Sequence, residues 1–270
     1  MIKEKPEITR VTKIISEANG IKSIFLGKKI DAKPGQFVMV WIPRVDEKPF
    51  AVAYLGKNEF GITVASVGNF SGRLYGMKIG DKVGVRGPYG TNYNLDKGLK
   101  KIAMIGGGYG VVSLALLAEQ AKAKGMEVIF ISGARSKDRI IYEERIRKIT
   151  NNMIITTDDG SYGIKGRTTD ALEDTLKKEK IDKVFACGPE LMLKKVVDIC
   201  TKNKVDCEIS MERYMKCGFG ICGHCCVDPT GIRICIEGPV IDAKTAQQIT
   251  EFGNYHRLKS SRKELFGARK

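Results

Sequence analysis

Four cysteines near the carboxyl end of this chain have the spacing of metal ligands. Cys217, Cys222 and Cys225 form the pattern C-x4-C-x2-C, and Cys235 follows after nine intervening residues. Plant-type ferredoxins hold a [2Fe–2S] cluster with this spacing, because two irons bridged by two sulfides need four thiolates from a loop that wraps around them. Glycines between the cysteines let the loop's amides turn inward without side-chain clashes. The segment is therefore predicted to bind a [2Fe–2S] cluster.

A structural zinc ion is the alternative occupant of the same four thiolates. Zinc usually takes two C-x2-C pairs, and this segment contains one such pair. Cys226 is predicted to be a bystander beside a ligand, and Cys200 and Cys207 are predicted to be small apolar core residues. The chain has only two histidines, His224 and His256, which argues against mechanisms that need several imidazoles.

A second group of residues has the character of a nucleotide site. Several glycines lie between an apolar strand pattern and a helix pattern, where a helix N-terminus offers free amides to a pyrophosphate. The strict G-x-G-x-x-G order is missing, and strand–glycine–helix turns also occur for steric reasons alone. The glycines predicted to bind the nucleotide are Gly106, Gly107, Gly108 and Gly110.

A Cys-Gly-Pro-Glu sequence ends a later strand pattern of the same region. A small, soft thiol there can lie beside a nicotinamide ring; the alternative is a buried cysteine before a helix with proline in its first turn. Because parallel strands share one carboxyl edge, both loops are expected to form one NAD(P) site. Its predicted members are Cys187, the residue assigned to catalysis, with Gly188, Pro189 and Glu190.

The sequence patterns that predict secondary structure differ between four parts of the chain. Residues 1–98 contain six short runs rich in β-branched and aromatic residues, which predict a small antiparallel barrel or sandwich. Residues 99–203 alternate strand and helix patterns, which predict a parallel sheet covered on both faces. Residues 204–245 are rich in glycine and cysteine, so ligated metal is expected to stabilise them. Residues 246–270 are predicted to form a basic tail.

Composition and charge narrow the class of protein. Hydrophobic residues make up 43% and charged residues 29% of the 270 residues, as in ordinary globular proteins. The net charge of +15 raises the alternative of a zinc-stabilised RNA-binding protein, but no recognised nucleic-acid motif accompanies the charge. No apolar run approaches the roughly 18 to 20 residues of a membrane span. We expect a cytoplasmic protein that binds neither nucleic acid nor membrane, in which reduced thiols favour metal over disulfides.

Together these motifs resemble those of a known family. Residues 1–200 resemble the ferredoxin reductase-like flavoproteins through the stretch at 48–51, the GPYG sequence at 87–90 and the two loops described above. The sequences ERYMKCGFGICGHC and CIEGPVIDA resemble the cluster segment of the electron transfer subunits of NAD-dependent dihydroorotate dehydrogenase.

The resemblance implies an FAD-binding β-barrel, a parallel-sheet NAD-binding domain and a small C-terminal [2Fe–2S] domain. In the family an R-P-x-S stretch holds the flavin; here it falls on Lys48, Pro49, Phe50 and Ala51, so the hydroxyl is missing at Ala51. The remaining flavin positions implied by the family are Ala65, Ser66 and Val67, with a pyrophosphate turn at Phe70, Ser71 and Gly72.

The resemblance also implies an electron relay with a partner. A catalytic, FMN-containing dihydroorotate dehydrogenase subunit would deliver electrons through the cluster and FAD to NAD+, in a heterotetramer of two copies of each chain that serves pyrimidine biosynthesis. Similar cluster loops occur in flavin subunits of cytoplasmic hydrogenases, in anaerobic sulfite reductase and in ferredoxin:NADP oxidoreductases, so the sequence leaves the partner open. Arg135 and Ser136 lie where a 2′-phosphate would bind and permit NADP, with a slight preference for NAD.

Overall fold

The first part of the chain forms one antiparallel sheet in the computed structural model, which describes residues 5–266. Its strands are β1 (Glu7–Ala18), β2 (Ile21–Leu26), β3 (Phe37–Ile42), β4 (Asp46–Ala51), β5 (Tyr54–Leu55), β6 (Phe60–Ala65) and β7 (Lys82–Tyr89). The spatial order is β4-β3-β7-β1-β2-β6-β5, and β4 also contacts β6, so the sheet curls into an open barrel. Aliphatic and aromatic side chains from these strands fill its interior, as the strand patterns of the sequence predict.

A short helix, α1 (Asn69–Tyr75), follows β6 and packs against β4 and β6. Its Phe70 side chain is buried. The hydroxyl of Ser71 accepts hydrogen bonds from the amides of Val67 (3.1 Å) and Gly68 (3.0 Å), which satisfies two amides at the start of the helix. The sequence patterns did not predict this helix, because a helix of two turns shows almost no apolar periodicity.

The middle of the chain forms a second sheet whose strands run parallel. These strands are β8 (Lys101–Gly107), β9 (Glu127–Ala134), β10 (Met153–Thr157), β11 (Ile164–Lys165), β12 (Lys183–Cys187) and β13 (Asp206–Ser210), in the order β11-β10-β9-β8-β12-β13. The helices are α2 (Val111–Ala123), α3 (Glu143–Arg147), α4 (Thr168–Lys178) and α5 (Glu190–Asn203). Helices α2 and α3 pack together and α4 packs on α5, with a separate apolar core for each pair. The predicted parallel sheet with both faces covered is therefore present.

One predicted helix is much shorter than expected. The pattern over residues 138–149 predicts a continuous helix, but α3 starts only at Glu143, after Tyr142 in the left-handed conformation with φ of 62°. This turn directs the Tyr142 hydroxyl to Ser23 and Thr63 of the first sheet, with an oxygen–oxygen distance of 3.2 Å to Ser23. A contact between the two domains thus replaces the first turns of the helix.

The remaining chain is short-stranded and packs on both domains. It contains β14 (Cys226–Val227), β15 (Ile232–Arg233), β16 (Val240–Asp242), α6 (Ala243–Gln247), β17 (Tyr255–Arg257) and β18 (Lys263–Leu265). Strand β16 joins the second sheet antiparallel to β13. The predicted boundary at residue 203 therefore lies ahead of two strands, β13 and β16, that belong to the second sheet.

The predicted basic tail at 246–270 is folded over much of its length. Strands β17 and β18 form a hairpin, and Arg257 is paired with Asp228 across 2.5 Å. Residues 267–270 of this tail, like residues 1–4 of the first predicted domain, lie outside the described residues. Between residues 5 and 266, no helix combines the length and the apolar character needed to cross a membrane.

Candidate functional site

The four predicted cluster ligands lie together as two pairs. The amide of Cys222 donates to Sγ of Cys217 across 3.4 Å, and the amide of Cys235 donates to Sγ of Cys225 across the same distance. The two thiols within each pair also interact with each other. Four glycines between Cys217 and Cys235 have positive φ, which lets the loop fold back on itself.

Two of these thiols have lowered pKa values, so they ionise more readily than an ordinary cysteine. Burial alone would raise the pKa of Cys217, but hydrogen bonds from the amides of Cys222 and Phe219 lower it to about 6. The thiol of Cys235 lowers the pKa of Cys225 to about 7 by donating to it, and the same contact raises the pKa of Cys235 itself. Because the thiolate is the form that binds metal, the loop favours metal binding at neutral pH.

The paired arrangement fits a two-iron cluster. A [2Fe–2S] cluster has two thiolates on each of its two irons, and each cysteine pair offers two. Structural zinc instead needs its ligands around one point. The arrangement in two pairs therefore matches the two irons of a cluster.

The two pairs differ in exposure. Cys222 is exposed and Cys217 is half-buried, whereas Cys225 and Cys235 are 3% and 1% exposed. Ile221, next to Cys222, is 74% exposed. One edge of the cysteine loop therefore faces outward and the other faces the protein interior. The other cysteines lie apart from the pairs: Cys200 and Cys207 are buried in the core as predicted, and Cys226 is half-buried in β14.

The predicted flavin residues come together on three neighbouring elements, β4, the end of β6, and α1, which contact one another. The Phe50 and Phe70 rings lie 6.1 Å apart. A Cβ on Gly72 would lie 3.6 Å from the Ser66 hydroxyl, so the helix and the end of β6 pack closely there. Val67 is 80% exposed, and an apolar side chain left open in this way is available for a ligand. The full set is Lys48, Pro49, Phe50, Ala51, Ala65, Ser66, Val67, Phe70, Ser71 and Gly72.

Lys48 links this flavin stretch to the cysteine loop. Its ammonium lies 2.5 Å from Asp46 and 3.2 Å from the Tyr214 hydroxyl. Burial works to lower the pKa of Lys48, but Asp46 and Tyr214 outweigh it and raise that pKa. The loop also packs directly on the barrel, since a Cβ on Gly218 would lie 2.7 Å from Cγ of Met39. The cysteine segment is thus held against the predicted flavin site.

The glycine loop and the Cys-Gly-Pro-Glu loop meet at the carboxyl edge of the second sheet. Cys187 is the register partner of Gly106, and a Cβ on Gly110 would lie 1.9 Å from the Cys187 carbonyl oxygen. A Cβ on Gly107 would lie 2.9 Å from Cδ of Pro189. These glycines are therefore required for the close packing of the two loops. A Cβ on Gly108 would meet no atom within 4 Å, so Gly108 is not needed for this close packing.

The thiol of Cys187 is enclosed and neutral. It is 5% exposed, and its sulfur lies 3.7 Å from the Ser113 hydroxyl. Burial is the main reason that its pKa is raised to about 12. A protonated thiol in this position packs against a ligand but does not act as a nucleophile.

Glu190 is engaged in a buried ion cluster. Arg213 binds it through two nitrogens, one at 3.1 Å, and the amide of Gly253 donates to it across 2.9 Å. Arg213 also binds Glu251 across 2.7 Å, and the side chains of Arg213 and Glu251 are 3% and 0% exposed. Glu190 therefore fastens α5 to the C-terminal segment. The sequence did not indicate this cluster, because its members lie 23 and 38 residues apart.

A shallow cavity lies beside the ends of β9 and β10. It is lined by Ser136, Lys137, Asp138, Asp159 and Ser161. The Ser136 hydroxyl donates to Asp138 across 2.5 Å, and the Ser161 hydroxyl donates to Asp159 across 2.6 Å. Two carboxylates thus accompany the basic residue Lys137 at this part of the sheet edge.

Comparisons with known proteins agree with this geometry. A family model of the iron–sulfur cluster binding domain of dihydroorotate dehydrogenase B matches residues 212–247. A Methanocaldococcus jannaschii protein described as a probable dihydroorotate dehydrogenase B (NAD(+)), electron transfer subunit, is 44% identical over 260 residues, which cover 96% of this chain and 98% of the relative. A Pyrococcus furiosus protein of the same description is 44% identical over 245 residues, covering 91% and 93% of the two chains.

Solved structures share the fold. A structure of the NADH-dependent reduced ferredoxin-NADP oxidoreductase superposes with a TM-score of 0.81 at 27% identity, covering 90% of both chains. Phthalate dioxygenase reductase superposes with a TM-score of 0.62 at 19% identity, and the match covers 78% of this chain and 70% of the reductase chain. The predicted fold class of a β domain, an α/β domain and a C-terminal cluster-binding domain is confirmed.

Proposed function

Because the chain belongs to the family of electron transfer subunits of NAD-dependent dihydroorotate dehydrogenase B, we propose that it carries electrons from a catalytic partner subunit to NAD+ during the oxidation of dihydroorotate to orotate. One observation carries this proposal: the segment that holds the paired cysteines contacts the predicted flavin stretch through Tyr214 and Lys48, and packs on the barrel through Gly218 and Met39. Two redox sites in contact on one chain are what an electron relay requires.

Each cofactor has a group of residues that fits it. The cysteine pairs would hold the [2Fe–2S] cluster, the residues of β4, β6 and α1 would hold FAD, and the paired glycine and Cys-Gly-Pro-Glu loops would hold the nicotinamide nucleotide. When bound, the flavin supplies the exchange between the two electrons of a hydride and the single electrons of an iron–sulfur centre. The chain's own task is to bind and orient these groups.

The chemistry of the nicotinamide site agrees with hydride transfer. Hydride transfer to a nicotinamide ring needs no general acid or base. The Cys187 thiol, with its pKa raised to about 12 by burial, is neutral and would offer the ring a soft, apolar contact. Packing of Gly110 on the Cys187 carbonyl fixes the position of this thiol.

NAD is the nucleotide that the cavity beside β9 favours. A carboxylate at this edge of a dinucleotide-binding sheet accepts hydrogen bonds from the ribose 2′-hydroxyl and repels a 2′-phosphate. Asp138 and Asp159 both line the cavity. We therefore assign NAD to the chain, and a lower KM for NAD than for NADP in diaphorase assays would support this assignment.

The partner is expected to bind at the outward edge of the cysteine loop. Cys222 and the adjacent Ile221 are exposed there, while Cys225 and Cys235 face the interior. We propose a complex of two copies of this chain with two FMN-containing catalytic subunits in the cytoplasm. The mass of the complex, measured by analytical ultracentrifugation after co-expression of the two chains, tests this stoichiometry.

Anaerobic purification with the co-expressed catalytic subunit tests the function as a whole. We expect flavin and [2Fe–2S] absorption that bleaches with dithionite, two irons and two sulfides per chain, and dihydroorotate-dependent reduction of NAD+. A colourless protein with one zinc per chain would contradict the cluster assignment. Visible cofactors without dihydroorotate-dependent activity, but with activity towards a ferredoxin, would instead favour a ferredoxin:NADP oxidoreductase.

A further inference from the structure

Phe219 lies inside the cysteine loop, between Cys217 and Cys222, and its ring packs on the barrel. The centre of the ring lies 4.9 Å from the guanidinium carbon of Arg86, a residue of β7, and 6.4 Å from the ring of Tyr89 on the same strand. The amide of Phe219 is also one of the donors to the Cys217 sulfur. A residue that contacts the barrel is therefore linked directly to a predicted cluster ligand.

Arg86 is buried and held in one orientation. Its side chain is 6% exposed, and its Nε donates to one carboxylate oxygen of Glu47 across 2.6 Å, while a terminal nitrogen donates to the other oxygen. Two parallel hydrogen bonds of this kind fix the plane of a guanidinium. Glu47 directly precedes Lys48, the first residue of the predicted flavin stretch, in β4. Arg86 is thus anchored to the strand that would hold the flavin.

The residue beside Phe219 approaches the same part of the barrel. Gly218 is buried, and a Cβ on it would lie 2.7 Å from Cγ of Met39. Met39 is the register partner of Arg86 in the pairing of β3 with β7. Two consecutive residues of the loop therefore contact paired residues of two adjacent barrel strands.

The cysteine loop itself offers few side chains that could fix its position. Gly218, Gly220 and Gly223 have positive φ and contribute no side chains. The contact of a guanidinium with a ring face is strongest where the cation is shielded from water, as Arg86 is. Apolar side chains would often be as stable as a buried ion pair, so the pair of Arg86 with Glu47 is better explained by the orientation that it imposes.

We propose that Arg86 is a positioning residue for electron transfer, which through Phe219 holds the cysteine loop at a fixed distance from the flavin site. This inference rests on the proposed function and deepens it, because it assigns to the barrel the task of setting the distance between the two redox sites. Electron transfer slows as that distance grows, so a loop that moves away from the barrel passes electrons more slowly.

Stopped-flow reduction of the holoprotein by NADH separates two steps that this role affects differently. Reduction of the flavin by hydride transfer does not involve the loop, whereas passage of electrons from the flavin to the cluster does. Phe219→Leu keeps an apolar side chain and removes the aromatic face. We expect slower reduction of the cluster in this variant, at an unchanged rate of flavin reduction. Phe219→Tyr keeps the aromatic face and should match the wild type in both steps.

Hydrogen exchange of the oxidised holoprotein, followed by mass spectrometry, measures the attachment of the loop without turnover. Loss of a shielded cation–π contact weakens such an attachment by about ten-fold or more. Because exchange follows local opening, the amides of residues 218–221 should exchange about ten-fold faster in Phe219→Leu than in the wild type.

Two further variants make the test specific. Phe25→Leu is the matched control, because the Phe25 ring also lies under a cation, with Lys13 at 5.0 Å, on a strand that β1 separates from β7. We expect it to leave cluster reduction and loop exchange unchanged. If Phe219→Leu does not load its cluster, Arg86→Lys decides the matter. Lysine keeps the charge but not the planar fork, so slower cluster reduction is expected, and a wild-type rate overturns the inference.

The outcomes separate this inference from the proposed function. Equal slowing of both steps by Phe219→Leu would assign Phe219 a general structural role and overturn the inference alone. Wild-type behaviour of Phe219→Leu, or an equal effect of Phe25→Leu, would do the same. A wild-type holoprotein whose flavin passes no electrons to the cluster would overturn the proposed function, and the inference with it.

Discussion

At the scale of single residues, two adjacent cysteines are expected to differ in their importance for cluster binding. Cys225 belongs to a buried pair with Cys235, whereas Cys226 lies outside both pairs in β14. A [2Fe–2S] cluster needs all four thiolates, so Cys225→Ser is expected to lose most of the iron and sulfide. Cys226→Ser is the matched control and should keep two irons per chain. Iron and sulfide analysis after anaerobic purification measures both; equal iron in the two variants would refute the ligand assignment.

Substitution of Arg213 is expected to lower the stability of the protein strongly. Its substitution by methionine leaves two carboxylates, Glu190 and Glu251, buried without their shared partner. Breaking a buried ion pair from one side typically costs about 3 to 5 kcal/mol, which for a chain of this length lowers the unfolding temperature by about 10 °C. Lys177→Met, which breaks a pair with Asp174 in which both side chains are more than 60% exposed, should shift it little. Thermal unfolding followed by circular dichroism compares the two, and similar shifts would show that the buried cluster adds no stability.

These residues differ in how far the sequence alone could predict them. The cysteine ligands follow from a local spacing, because one loop supplies three of them and the fourth comes soon after. The ion cluster of Arg213 joins three separate segments, and only tertiary packing brings them together.

At the scale of elements, the sequence predicts the helices and strands whose own residues show helical or strand periodicity. The pattern over residues 190–203 predicts a helix with the same bounds as α5, and the alternating patterns predict the order of strands and helices. The errors lie where another part of the chain decides the local structure. The contact of Tyr142 with Ser23 replaces the first turns of the helix predicted at 138–149. Strand β13, which lies beyond the predicted boundary at residue 203, pairs with β12 on one side and β16 on the other.

The packing of the two nucleotide loops gives a prediction for an element. In Gly110→Ala the new Cβ would meet the Cys187 carbonyl oxygen at 1.9 Å, and backbone atoms cannot rotate away. We expect the free energy of unfolding to fall by about 3 kcal/mol or more, and NAD+ binding to be lost. Gly108→Ala meets no atom within 4 Å, so it should cost only the strain of its positive φ, about 1 kcal/mol. Thermal unfolding and NAD+ titration measure both, and the expectation fails if Gly108→Ala is the more damaging change.

At the scale of the whole molecule, the cysteine segment holds the two domains together. The amide of Thr91, just after β7, donates to the Gly238 carbonyl across 2.6 Å, and its hydroxyl donates to the Val240 carbonyl across 2.7 Å. Val240 lies in β16, which is a strand of the second sheet. One apolar core also contains Phe37 and Met39 of the barrel together with buried cysteines of the loop. The cluster segment is thus fixed relative to both predicted nucleotide-binding parts, as electron transfer over a defined path requires.

The exposed edge of this segment gives a prediction for the assembly. Ile221 is 74% exposed beside Cys222, and we expect the catalytic subunit to cover it. Burying an isoleucine side chain is worth about 1.5 to 3 kcal/mol, so Ile221→Ser should weaken binding of that subunit by about ten- to a hundred-fold. Ile79→Ser, at an equally open isoleucine of the first domain (67% exposed), should leave the affinity unchanged. Sedimentation equilibrium of the mixed subunits gives both dissociation constants, with iron content confirming that each variant is loaded. Equal affinities for the two variants would place the partner on another face.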